Sequence, residues 1–247
     1  MLTNVPPSRP HPTVLRRPER AVRQAPRGRA GLGPAGAGRV RPILGAMGRT
    51  YDSIERLAAW LLAQPVFFVA TAPLGAHGHV NCSPKGGPGS LAVLGGRQVA
   101  YQDLTGSGAE TVAHVRENGR IVLMFCAFDG PPKIVRLHGR GEAVMAGAPR
   151  WGELSAHFPD RLGARAVMLV DIDRISTSCG YGVPLMRFEG HRHEMERWAQ
   201  AKGSEGLEAY RRQKNAESVD GLPALPLPTV TGAEAGAAGA RAASPWP

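Results

Sequence analysis

Apolar and polar positions alternate with a period of two over most of the chain between Val66 and Ile175, and only a few stretches carry the longer period of an amphipathic helix. Residues 66–72 (VFFVATA), 79–83, 91–94, 98–104, 120–128 (RIVLMFCAF), 133–145 (KIVRLHGRGEAVM) and 166–175 (AVMLVDIDRI) read as strands. Helical spacing marks 51–64, where Ile54, Leu57, Ala58, Leu61 and Leu62 share a face and Asp52 with Glu55 resembles a capping box. It returns in 109–118, in the short 149–158, and in the polar 191–215, interrupted by Gly203 and Gly206. The breaks between strands are turn chemistry: Pro73 to Gly78, Gly95-Gly96-Arg97, and Asp129-Gly130-Pro131-Pro132. Gly139 and Gly141 inside the long sixth run predict a bulge or a corner.

Six or seven strands joined mainly by hairpins predict a mainly β protein with flanking helices, an antiparallel barrel. A doubly wound sheet would alternate strand with helix.

One stretch departs from the hairpin rule. In YQDLTGSGAETVAHVRENGR (Tyr101 to Arg120) a strand runs through Thr105-Gly106-Ser107-Gly108 straight into a helix, which Gly119 ends at a position suited to positive φ. The first N–H groups of a helix lack internal partners, and the peptide dipoles favour negative charge there. Thr105, Ser107 and Thr111 add hydroxyls, so the loop suits an anion such as phosphate; the plainer reading is a capped helix with a flexible approach. Neither a Walker loop nor the dinucleotide GxGxxG pattern is present.

Charge changes the picture at the ends only. Of a formal net charge of +10 over 247 residues, residues 1–46 hold nine arginines against Glu19, leaving +2 for the rest. This Pro/Gly/Ala/Arg-rich leader is expected to be disordered, and a start of translation at Met47 is favoured over an organelle transit peptide. Residues 47–225 are expected to form one domain and 226–247 a disordered tail. Three scattered cysteines, Cys82, Cys126 and Cys179, suggest neither zinc nor a disulfide framework and point to a reducing cytoplasm. No apolar run approaches the roughly 20 residues of a membrane span.

The blocks VAYQDL, NGRIVLMF and RLHGRGE, with HVNCSPKG at His79 to Gly86, resemble the flavin-binding split-barrel proteins related to pyridoxamine 5′-phosphate oxidase. SCGYGVP (Ser178 to Pro184) and KNAESVDGLP (Lys214 to Pro223) are similar to an uncharacterised subgroup of that family. The resemblance implies an FMN-binding split β-barrel that works as a homodimer with the flavin at the interface. It implies that Lys85 meets the FMN phosphate with Thr105, Ser107, Thr111 and Arg120. Asn81 and Ser83 would then line the ring or ribityl side, and Tyr101 or Gln102 the adjoining strand. The oxidase has an Arg-Lys pair at the helix start where this chain has Glu110-Thr111, and its C-terminal Arg-Leu-x-Pro has no counterpart in GLPALPLP. Flavin binding survives these losses more readily than vitamin B6 oxidation.

The function expected is therefore an FMN-dependent oxidoreductase acting on a small molecule. The alternatives are an F420-dependent reductase, a flavin carrier or sensor without turnover, and nucleic-acid binding through the leader. Arg120 is equally suited to neutralising the helix C-terminus. His114 reads as structural or exposed, Cys82 as facing the core, Cys126 as a buried small hydrophobe, and Cys179 as the most exposed thiol. Trp60, Trp151 and Trp198 read as packing residues, and His191 with His193 lacks a third metal ligand nearby in sequence.

Overall fold

The computed structural model describes residues 48–226; the expectations for the leader and for the tail beyond residue 226 lie outside them. Eight strands form one sheet: β1 (Thr50–Tyr51), β2 (Val66–Thr71), β3 (Asn81–Gly86), β4 (Leu91–Gly95), β5 (Gln98–Leu104), β6 (Arg120–Cys126), β7 (Ile134–Met145) and β8 (Ala164–Ser178). Their order is β3-β2-β6-β7-β8-β5-β4, with β1 paired to β8, and all the pairings are antiparallel. The sheet is mainly built from hairpins and curls into a half-barrel, the fold class that the alternation predicts. Four helices flank it: α1 (Ala58–Leu62), α2 (Glu110–Asn118), α3 (Trp151–Ser155) and α4 (Glu194–Lys214).

Two long connections join strands that are not neighbours in the sheet: β1 to β2, which carries α1, and β5 to β6, which α2 makes. Val112 and Ala113 of α2 are buried with Val69, Leu123, Phe125, Val135, Leu137 and Ile175 from the sheet, so the helix closes the main core. Gly119 ends α2 with φ +71°, and its N–H reaches Val115 O at 2.9 Å. A second, smaller cluster (Ala100, Val144, Leu154, Phe158, Val167, Leu169) lies on the other face of β5 and β8, covered by α3. β5 is therefore buried on both faces, although its sequence alternates.

Three local expectations are corrected. The N-terminal helix is shorter than the apolar spacing suggested: β1 and a 3-10 turn (Glu55–Leu57) precede α1, and Leu62 is exposed. Its start is held by Ser53, whose Oγ accepts from the Glu55 N–H at 3.2 Å, and not by an Asp52–Glu55 box. On β3 the alternation is right but its sense is reversed. This is an edge strand whose half-buried face carries Asn81, Ser83 and Lys85, while Cys82 and Pro84 face solvent. Cys82, not Cys179, is thus the most exposed thiol, and Cys126 is buried as expected. In α4 the backbone leaves the helical region at Gly203 only, so Gly206 does not interrupt it.

The bulge predicted near Gly139 is real: the β7–β8 register shifts between His138 and Gly139. A Cβ at residue 139 would run into the Asp171 carbonyl of β8. Gly139→Ala is accordingly expected to lower stability by about 1–3 kcal/mol. Urea denaturation should show a lower midpoint at unchanged slope; an unchanged midpoint would mean that the two strands can separate freely there.

Candidate functional site

Between β3, the end of β5, and the loop into α2 lies a cleft of about 1750 Å³. Residues 159–165, before and at the start of β8, and the segment around 186–200 complete its rim. One wall is apolar, with Val66, Phe68, Pro84 and Leu104; the other carries Lys85, Ser107, Arg161 and Arg165.

The cationic wall is built on one carboxylate. Asp103 has no solvent exposure, yet Lys85 Nζ donates to its Oδ1 at 2.7 Å and Arg165 Nε to its Oδ2 at 2.8 Å. Burial by itself pushes the carboxyl pKa up; Arg165, then Lys85, outweigh it and bring the pKa from 3.8 down to about 2. Arg165 in turn donates to Asn215 Oδ1 at 2.7 Å, and Asn215 Nδ2 donates to Gly106 O at 3.0 Å. Arg211 Nε donates to Thr105 Oγ1 at 2.9 Å, and the Thr105 hydroxyl donates to Gly163 O. The loop before α2 is thereby clamped from the C-terminal side. Arg161 is fixed separately, donating to Gln102 Oε1 at 3.0 Å and Pro88 O at 2.6 Å.

A second polar chain leaves the cleft through β3. The Ser83 hydroxyl donates to Asn81 Oδ1 at 2.8 Å, and Asn81 Nδ2 donates to Thr111 Oγ1 at 2.9 Å and Thr71 Oγ1 at 3.2 Å. Thr71 meets His114 Nδ1 at 3.0 Å. His114 has no exposure and its Nε2 has no partner; burial lowers its pKa against the opposing pull of Asp220, Glu110 and Glu117.

The structure brings four of the nine residues proposed from sequence to the cleft surface: Ser83, Lys85, Gln102 and Ser107. Asn81 stands just behind Ser83, and Thr111 behind Asn81. Thr105 is buried and bound to Gly163 and Arg211, so its hydroxyl is already committed to protein partners. Tyr101 is carried into the core, its ring against Phe67 at 5.7 Å and its hydroxyl buried without a partner. Burial, and next the nearby Asp103, push its pKa well up. Arg120 lies past the C-terminal end of α2, bonded to Asn118 Oδ1 and Pro73 O, the helix end opposite the loop. Glu110 lies close enough to Gly108 that a Cβ there would meet its carboxylate, so the loop carries a negative charge beside its glycine.

Sequence reasoning missed Asp103, Arg161, Arg165, Arg211 and Asn215. A charged residue inside a strand-forming run, Asp103 in VAYQDL and Arg165 in ARAVMLV, was the available signal, since a buried charge requires a partner. Among the described residues no cluster of His, Cys, Asp or Glu is arranged for a metal, and no helix is long and apolar enough to cross a membrane.

Residues 53–179 match the family model described as pyridoxamine 5′-phosphate oxidase. The chain is 41% identical over 192 residues to the pyridoxamine 5′-phosphate oxidase family protein ustO of Aspergillus flavus, covering 71% of this chain and 77% of that protein. The chain belongs to the pyridoxamine 5′-phosphate oxidase family. Among solved structures, HupZ of Group A Streptococcus is 21% identical with a TM-score of 0.38, covering 49% of this chain and 89% of that one. An FAD-binding protein of Mesorhizobium loti is 19% identical with a TM-score of 0.36 (53% and 95% covered). An FMN-binding protein of Syntrophomonas wolfei subsp. wolfei is 15% identical with a TM-score of 0.37 (53% and 85% covered). At these scores the likeness assigns no ligand to this chain.

Because the Asp103 pKa is depressed on folding, its ion pairs contribute fully above the ordinary value of 3.8 and drain away as pH falls through about 2. Stability should therefore drop by about 2 kcal/mol across that window. Asp103→Asn should lose about 3–5 kcal/mol at neutral pH, since two cations are left without their carboxylate, and should show no such slope. Denaturant midpoints measured from pH 5 to pH 2 check both; an unaltered slope in the variant would assign the acid sensitivity elsewhere.

Proposed function

We propose that this chain binds FMN in the cleft and acts as an oxidoreductase on a small molecule, working as a pair of identical chains in a reducing cytoplasm. The observation that carries the reading is the cleft's division into an apolar wall and a cationic end, in a member of this family. Lys85 and Arg161 are held by protein partners beside the Ser107 loop, so a phosphate meets charges that need no further ordering. Val66, Phe68, Pro84 and Leu104 offer a surface for a flat ring system, while Ser83 stands with Lys85 on the other face of the edge strand β3. Both donor set and apolar wall fit the cofactor. A flavin bound here would supply the electron chemistry, and the chain would supply orientation, charge and exclusion of water.

Pairing of two chains is supported by exposed apolar side chains beside the cleft. Tyr181, Leu185, Met186 and Phe188 all stand open to solvent between β8 and α4, and Met186 and Phe188 border the cleft itself. Covering them with a second copy removes apolar area from water and narrows the cleft. Light scattering should show a dimer, and Leu185→Asp with Phe188→Asp should yield monomers that retain less FMN. A wild-type protein that stays monomeric at micromolar concentration overturns the pairing.

The cofactor assignment is tested by absorbance of the purified protein and by fluorescence titration with FMN, with F420 as competitor. Lys85→Ala should weaken FMN by roughly 1.5–3 kcal/mol, the value of one charge-assisted hydrogen bond. Riboflavin, lacking the phosphate, should bind the variant and the wild type alike. Equal loss of both ligands would remove Lys85 from the phosphate site. Anaerobic reduction by NADPH followed by reoxidation then separates turnover from passive carriage.

A further inference from the structure

The chain of hydrogen bonds behind β3 has a direction. The Ser83 hydroxyl proton is committed to Asn81 Oδ1. Both protons of the Asn81 amide are committed as well, to Thr111 and Thr71. Thr71 accepts from Asn81, so its own proton is available to the neighbouring His114 Nδ1 at 3.0 Å. Thr71 is buried, and its hydroxyl meets no other acceptor among the described residues; a donating Nδ1 would leave that proton stranded. A neutral His114 therefore carries its proton on Nε2, the ring nitrogen that is buried without a partner. Retaining an orphaned donor in this way is a cost, and the buried chain it completes ends at the cleft.

We propose that Ser83 meets the cleft ligand as a hydrogen-bond acceptor, taking an N–H or O–H from it, and that His114 is the positioning residue that sets this polarity through Thr71 and Asn81. With its proton turned inward, Ser83 offers only lone pairs to the cleft. The site then selects a ligand edge that carries a donor and disfavours one that carries a lone pair at that point. Turning the Asn81 amide over and moving the imidazole proton to Nδ1 would reverse all the links and make Ser83 a donor. The network has these two self-consistent polarities, and the His114 tautomer reports which one is present. The ligand side of the proposal rests on the FMN reading; the polarity of the network does not.

The first test is nitrogen NMR of the His114 ring in the unmodified, ligand-free protein at neutral pH. A proton on Nε2 is expected; a proton on Nδ1 overturns the proposal. The second test is a cycle of FMN dissociation constants. Ser83→Ala and Thr71→Val should each weaken FMN by roughly 3- to 10-fold, the range of a single hydrogen bond. The double variant should be no weaker than Ser83→Ala alone, because Thr71 acts through Ser83. Thr71→Ser, which keeps the hydroxyl, should restore wild-type affinity. Losses that multiply in the double variant would make Thr71 and His114 merely structural and overturn the positioning role. Failure of the unmodified protein to bind FMN would sink the cofactor reading, while the ring tautomer would still decide the polarity.

Discussion

A buried carboxylate is the constraint on which the cleft depends. Asp103 is ionised in a place where ionisation is opposed, and two cations approaching its two oxygens make that tenable. Neither cation is then free to wander. Lys85 is pinned to the wall of the cleft, and Arg165 is pinned where it can hold Asn215 and, through it, the carbonyl of Gly106. The shape of the loop before α2 is thus an electrostatic consequence of one residue on β5. Such an arrangement adds little net stability over an apolar one, but it fails badly when one member is missing, so it specifies geometry more than it strengthens the fold.

The sheet supplies what the charges cannot. β5 and the paired stretch of β8 are buried on both faces, with the main core on one side and the α3 cluster on the other. β3, by contrast, is an edge strand with one pairing partner. Only such a strand can devote its half-buried face to Asn81, Ser83 and Lys85 without breaking a core. Polar chemistry sits at the margin and apolar packing in the middle, and Asp103 is the residue that joins them.

The alternation of apolar positions made the strands, their hairpins and the bulge at Gly139 legible, because each depends on neighbours a few residues apart. Gly119 was equally readable, since a helix end is a local event. The face of β3 was not. Period two tells which residues share a side, and it cannot say which side is covered when the covering groups are polar and distant. From sequence, Cys82 reads as interior on that account. Tyr101 reads as a ligand neighbour from sequence although its strand is buried on both faces. The partners of the loop were hidden for a different reason: Thr105 and Arg211, or Gly106 and Asn215, lie more than a hundred residues apart, and nothing local announces such a contact. KNAESVDGLP stood out as a block, yet its role as a clamp appears only once the chain is folded.

That separation bears on how the molecule comes into being on a ribosome. The sheet and α2 are complete once residue 178 has been made, but the loop into α2 acquires its fastenings only when residues 211–224 arrive. Arg116, on the same helix, likewise waits for the carbonyl of Ala224. Closing so long a loop carries an entropic cost that local pairing does not, which places it late in folding. A nascent chain therefore has all its strands before it has a finished cleft, and the last segment brings Ala224 into the main core as well as partners to Arg165 and Thr105.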